Sequence, residues 1–222
     1  YIYFRSNQTQ KYYFISLGLF LLSLLSKPMA ITLPLVLLLF DYLQYRKLEK
    51  EIWVEKIPFF VLSAIFMIIG IFSQSSAGAM SGRESLTIFH NILTACHGLI
   101  FYAFKTVAPI KLSCVYPLPE RYQSLFSLAT LIPFIIVVIL IILIRLYAKN
   151  SRKVIFACLF FLVAILPVLQ IVPVGQPIAE RYTYISSIGL IYLIAEGLSW
   201  IYYKEFKNMK IVSISFPIIM AL

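Results

Sequence analysis

Apolar residues in this chain fall in long runs rather than in alternating positions or narrow stripes. The runs occupy roughly residues 12–26, 29–43, 57–73, 124–146, 154–172 and 183–203, and a seventh begins at about 211. A membrane-crossing helix needs about 20 apolar residues, with about 17 as the lower limit. The pattern therefore predicts six to seven spanning helices. The first two runs are short and meet at Ser26-Lys27-Pro28. They form either a helical hairpin or one long helix broken at Pro28.

Two intervening segments read differently. In residues 44–56, Leu48 and Ile52 stand at i and i+4, with Lys47 and Glu51 on another face. This spacing predicts a short connector helix on the membrane surface, with Trp53 at headgroup level. The segment 88–110 is fairly apolar but carries His90, Asn91, His97 and Lys105. Charge counting places it. If 12–43 is a hairpin and 88–110 does not cross, Arg5, Lys11, Arg46, Lys47, Lys50, Lys56, Arg145, Lys149, Arg152, Lys153, Lys204, Lys207 and Lys210 share one side, 13 of 19 cations. Lys27, Arg83, Lys105, Lys111, Arg121 and Arg181 then lie opposite. If 88–110 crosses, the split falls to 10 against 9. The positive-inside rule favours the first arrangement. Residues 74–123 are thus expected outside, with 88–110 as an interfacial or re-entrant helix.

Composition sharpens the class. The 222 residues are 61% hydrophobic and 13% charged, with a mean hydropathy of +0.92. Soluble domains run about 45–50% apolar and about 25% charged. A soluble enzyme or soluble nucleic-acid binder is excluded on that ground. The net charge of +10 sits in short loops, as in cytoplasmic loops of membrane proteins, and calls for no nucleic acid. Cys96, Cys114 and Cys158 are too far apart for a metal site or a disulfide framework. No cleavable signal peptide is visible. The chain starts at Tyr1 without Met and stops at Leu222 inside an apolar run, which reads as a fragment with both ends missing. The expected fold is an all-α, polytopic helical membrane protein, residues 1–222 forming one transmembrane domain without repeats or a soluble part.

Candidate chemistry is sparse. On this topology only Glu84, Glu120 and Glu180 among the acids lie outside, while Asp41 and Glu196 fall towards the cytoplasmic halves of their helices. No paired carboxylates, H-x-x-x-H, G-x-S-x-G or proton-relay array occurs, so hydrolase, metalloprotease and P-loop readings have no support. Two segments stand out. In Ser26-Lys27-Pro28-Met29-Ala30, the proline suits the first turn of a helix, with Ser26 or Lys27 as its cap. That helix would aim its unpaired N–H groups and the Lys27 charge at the outer face, a ready anion site. In the run from Pro173 to Tyr182, a Pro/Gly loop ends at Pro177, and Glu180 and Arg181 fall in the first helical turn. Arg181 can grip a phosphate with its fork while Glu180 orients it. Plainer readings compete. Lys27 can simply snorkel to the interface, and Glu180 and Arg181 can pair with each other. His90 and His97, seven apart on one helical face, fit a packed or solvated pair as well as a substrate contact. Tyr116, Tyr122, Tyr182 and Tyr184 suit an interfacial aromatic belt.

These segments resemble a known family. Leu24 to Pro34, reading LLSKPMAITLP, continues through Leu37-Leu38-Leu39-Phe40-Asp41-Tyr42. It resembles a stretch of tetratricopeptide-repeat membrane proteins related to the transmembrane O-mannosyltransferases, in the GT-C glycosyltransferase superfamily. Ala179 to Gly189 resembles their AERY-x-Y-x-x-S-x-G pattern. Tyr102 to Lys105 with Pro109, Leu112 and Tyr116-Pro117 resembles their Y-x-x-K…P…L…Y-P segment. The three matches occur in the family's order. The resemblance implies a GT-C-like multi-helix bundle, here partial, that transfers a sugar from a polyprenyl-phosphate donor on the non-cytoplasmic face. Lys27 and Arg181, with Glu180, match residues that hold the lipid phosphate. His97 and Tyr182 are candidate acceptor or sugar contacts. The family's catalytic carboxylate lies in a first outer loop that this chain lacks, so no base is assigned. No metal site or cofactor is expected, a divalent cation being left open. The implied partners are membrane lipids, a polyprenyl-linked sugar and a protein or glycan acceptor. An Ile- and Lys-rich composition suggests a bacterial inner membrane with the site on the periplasmic face. A non-catalytic anchor or scaffold for repeats beyond Leu222, and a transporter or polymerase of lipid-linked glycans, are the alternatives. The latter predicts inverted repeats and paired intramembrane charges, neither of which the sequence displays.

Overall fold

The computed structural model describes residues 10–46, 50–76, 88–110, 112–113, 116, 128–147, 151–169, 171 and 178–205. Among them the protein is all-α, apart from one isolated antiparallel bridge between Tyr116 and Ile178. The seven helices are α1 (Gln10–Ser26), α2 (Leu33–Leu43), α3 (Lys50–Ser76), α4 (Ile88–Val107), α5 (Leu128–Tyr147), α6 (Arg152–Ile165) and α7 (Thr183–Glu205). By length and composition α3 contains one candidate span, Ile52–Ser76, and Lys11–Ser26, Met29–Leu43 and Leu131–Leu146 are shorter apolar helices. The expected run at 211 and the loop at 74–87 fall largely or wholly outside the described residues.

Local chemistry explains the boundaries. α1 stops where Pro28 cannot supply an N–H to continue it. Lys27 is extended (φ −151°, ψ 120°), and a 3-10 turn over Pro28–Thr32 leads directly into α2. Tyr13 on α1 and Arg46 beyond α2 both reach Glu55, so the chain folds back at Lys27 as a hairpin. The expected separate connector helix is corrected: residues 50–56 are the first two turns of α3, which runs unbroken through Pro58. Pro58 is the ninth residue of α3, so it removes one i→i−4 hydrogen bond inside the helix. The Tyr13 hydroxyl donates to the nearby Glu55 carbonyl at 2.8 Å.

Three apolar layers hold the helices together. Phe20 and Leu24 of α1 pack on Phe59 of α3. Phe156, Phe160 and Ala164 of α6 pack on Phe40 of α2 and Tyr192 of α7. Tyr102 and Ala95 of α4 pack with Phe161, Ile165, Val168, Leu169 and Ile178 around the C-terminal end of α6 and the start of α7. α6 crosses α7 at close range. A Cβ on Gly189 would stand 2.7 Å from the Ala157 carbonyl oxygen, so only glycine admits that approach. The outward faces stay apolar: Leu19 and Leu22 on α1, Ile65 and Phe72 on α3, and Ile135, Ile139 and Ile142 on α5 are all exposed.

Candidate functional site

Two helix starts with the same local geometry build one end of the molecule. Ala179 (φ −149°, ψ 137°) is extended like Lys27, and each precedes a 3-10 turn that runs on into a long helix. Helical backbone begins at Glu180 rather than at Pro177, because Ile178 is taken up in the bridge to Tyr116. Glu180 and Arg181 nevertheless fall in the first turn, as their position after the Pro/Gly loop predicts.

The structure brings Lys27 and Arg181 onto one ring. The Lys27 ammonium lies 6.0 Å from the centroid of Tyr182, and the Arg181 guanidinium carbon lies 5.3 Å from it. The Arg181 Nη2 also donates to the Tyr182 hydroxyl at 3.5 Å. Both cations are exposed while Tyr182 is half-buried. An aromatic face attracts cations at this range and offsets part of the repulsion between them. Lys27 therefore does more than reach for an interface: it shares a platform with Arg181.

Glu180 turns to other partners. Its Oε1 accepts from the Ser113 amide at 3.1 Å and from the Tyr116 hydroxyl. The Tyr116 amide donates to the Ile178 carbonyl at 2.9 Å. The Tyr102 hydroxyl accepts from the Ala179 amide at 3.2 Å. These bonds pin the start of α7 from both sides of the α4 loop. Burial pushes the Tyr102 phenol up to about 12; the Ala179 amide opposes this shift and neighbouring Tyr182 adds to it.

Lys105 lies over both Phe101 (5.6 Å) and Tyr116 (5.2 Å). His97 follows in the same file, 6.1 Å from Phe101 between ring centroids. The two histidines thus part company. His97 stands one ring behind Tyr116, whereas His90 is buried at 4% exposure. Tyr184 points away into solvent space at 84% exposure, and Tyr122 lies outside the described residues.

A second charged cluster escaped sequence reasoning. Lys56 and Asp41 are buried and form an ion pair, Arg46 bonds Asp41 at 2.5 Å, and Arg46 approaches Glu55 at 3.4 Å. The Lys56 ammonium also donates to the Ile52 carbonyl at 3.4 Å. Burial disfavours the Arg46 charge, but the Asp41 and Glu55 carboxylates outweigh it and raise its pKa. The sequence displays no paired intramembrane charges, yet the structure pairs Asp41 with Lys56 and Arg46. The available signal was a lone acid ending one apolar run and a lone lysine opening the next. Nearby, Arg152 lies 4.1 Å over Tyr45 and donates to the Tyr42 carbonyl at 3.2 Å, and Lys153 bonds Glu196 at 2.7 Å.

The molecule thus has two charged ends. Lys27, Lys105 and Arg181 mark one; Arg46, Lys56, Arg152 and Lys153 mark the other. Glu196 on α7 stands fourteen positions after Tyr182, or about 21 Å of helix rise. Among the described residues no three His, Cys, Asp or Glu side chains converge. No protein-family model, no curated protein and no solved structure matches this chain.

Proposed function

We propose that this chain is part of a polytopic membrane glycosyltransferase of the GT-C kind, which transfers a sugar from a polyprenyl-phosphate donor on the non-cytoplasmic face. The observation that carries the proposal is the Lys27–Tyr182–Arg181 arrangement, where two cations far apart in sequence meet on one aromatic ring. Residues of all three family-like segments converge there, since Tyr116 and Tyr102 fix the turn that presents Arg181. The apolar exterior supports a lipid surrounding, because a water-facing surface rarely carries contiguous apolar area of this extent. The partition of cations to two ends supports an orientation with the Lys27 end outside.

In this reading an acceptor hydroxyl of a protein or glycan attacks the anomeric carbon with inversion. The bond from that carbon to the donor phosphate oxygen breaks, and the phosphate leaves as an anion. Lys27 and Arg181 hold it and stabilise the charge it gains. Arg181 offers a two-pronged contact and Lys27 a point charge. Glu180, bonded to Ser113 and Tyr116, positions Arg181 rather than taking the acceptor proton. His97, stacked near Phe101, and Tyr182, beside Lys27 and Arg181, are the proposed contacts to the sugar or acceptor. The acceptor proton passes to a carboxylate base, a role assigned to no residue of this chain.

The test is sugar transfer from a polyprenyl-phosphate sugar by the full-length protein reconstituted in lipid. Arg181→Ala is expected to raise donor KM or lower kcat by about tenfold or more, the loss of one charge-assisted contact. A folded Arg181→Ala protein with unchanged transfer removes Arg181 from the site. The Lys56–Asp41 pair gives the transporter reading its one specific observation. Its further ties to Arg46 and Glu55 fit a fixed clamp better than a moving relay.

A further inference from the structure

α5 packs against α4 and leaves a gap to α6, a cleft of about 1200 Å³ between α4, α5, α6 and α7. Its walls include Val137, Leu140 and Ile144 on α5 and Cys158 and Leu162 on α6. Among the described residues Arg145 is the one charged residue lining it. That side chain is exposed, and among the described residues it has no ion-pair partner. Only the short stretch 148–151 joins α5 to the start of α6, so Arg145 belongs to the end marked by Arg152 and Lys153. The cleft is thus not the donor-phosphate site: its charge lies at the opposite end from Lys27 and Arg181. Phe161 lines the cleft and also packs in the layer with Tyr102 and Tyr182, separating the two.

We infer that this cleft is a binding site for an anionic phospholipid, with acyl chain in the cleft and phosphate on the Arg145 guanidinium. Val137 to Arg145 spans about 12 Å of helix, most of one leaflet's hydrocarbon depth of about 15 Å. The apolar walls accept a hydrocarbon chain and offer no partner to a polar ligand. A guanidinium at the rim matches a phosphate fork to fork. A polyprenyl tail entering from the Lys27 end would instead have to pass the packed layer of Tyr102, Phe161 and Ile165, all buried. The site rests on the membrane reading but not on sugar transfer.

The test uses the intact protein in mild detergent, with retained lipid read by native mass spectrometry. The probes are dioleoylphosphatidylglycerol and dioleoylphosphatidylcholine. Wild type is expected to retain the anionic lipid about tenfold better, the worth of one charge-assisted contact. Arg145→Gln, at an exposed position, should erase that preference. Cys158→Trp should displace both lipids by filling the cleft. Lys11→Gln, at an exposed cation of α1 away from the cleft, should leave retention unchanged. A preference that survives Arg145→Gln, or one that vanishes in Lys11→Gln instead, overturns the site. So does lipid retention that Cys158→Trp leaves intact, as when another segment of the chain fills the cleft. Carbonate extraction of native membranes keeps the two readings apart. A chain that stays in the pellet but retains no phosphatidylglycerol loses only this site, whereas a chain released into the supernatant loses the membrane reading as well.

Discussion

At the scale of single residues, the site is held by hydrogen bonds that sequence alone does not display. Tyr102 illustrates this. It fits the family-like Y-x-x-K segment, yet its observed work is to accept the Ala179 amide at 3.2 Å from inside a buried layer. Its phenol titrates at about 12 in the folded protein, above the ordinary value of 10.0. The folded state therefore keeps the proton longer than the unfolded chain does. The stabilising contribution is full below pH 10, and it is lost as pH rises towards 12. Alkaline unfolding followed by circular dichroism should thus be less steep between those limits in Tyr102→Phe than in wild type. The same variant leaves the Ala179 N–H without its acceptor and should cost about 1–3 kcal/mol at neutral pH. Equal alkaline steepness in both proteins would remove Tyr102 as the responsible group.

At the scale of elements, the clamp between α2 and α3 is the feature most open to mutation. Lys56 is fully buried beside Asp41, itself 3% exposed. Asp41→Leu leaves the buried Lys56 ammonium without its carboxylate, a cost of about 3–5 kcal/mol. Asp41→Leu should therefore lower thermal stability sharply. Adding Lys56→Met should recover most of the loss, since apolar replacement of both buried partners is close to neutral and Arg46 keeps Glu55. A double variant no more stable than the single one would show that the pair's charges were not the cause. The α6–α7 crossing depends equally on sequence detail. Ser186 and Gly189, both in the family-like AERY segment, are buried towards α6, so part of that pattern serves close packing rather than chemistry.

At the scale of the whole molecule, the separation of charges along the helices carries a topological prediction. If the Lys27 end lies outside, a cysteine placed at exposed Tyr184 in a cysteine-free background should react with a membrane-impermeant maleimide added to intact cells. One placed at exposed Tyr45 should react only after permeabilisation. The reverse pattern would turn the proposed site to the cytoplasm and end the glycosyltransferase reading as stated. The apolar exterior of α1, α3 and α5 sets the same demand on the surroundings, since these side chains find no cover within the described residues.

The sequence by itself determined the helical class, the break at Pro28, the place of Glu180 and Arg181 in a first helical turn and the candidacy of Lys27 and Arg181. All of these follow from local causes: run length, the missing proline N–H and the residue types at a helix start. It placed the connector boundary wrongly, because α3 begins at Lys50 and continues through Pro58 in its interior. Only the tertiary structure decided that Lys27 and Arg181 share the Tyr182 ring, that Glu180 binds Tyr116 and Ser113, and that Asp41 meets Lys56. Each is a contact between segments distant along the chain. Such contacts depend on how helices dock, and docking is set by shape matches such as Gly189 against Ala157, which periodicity does not encode.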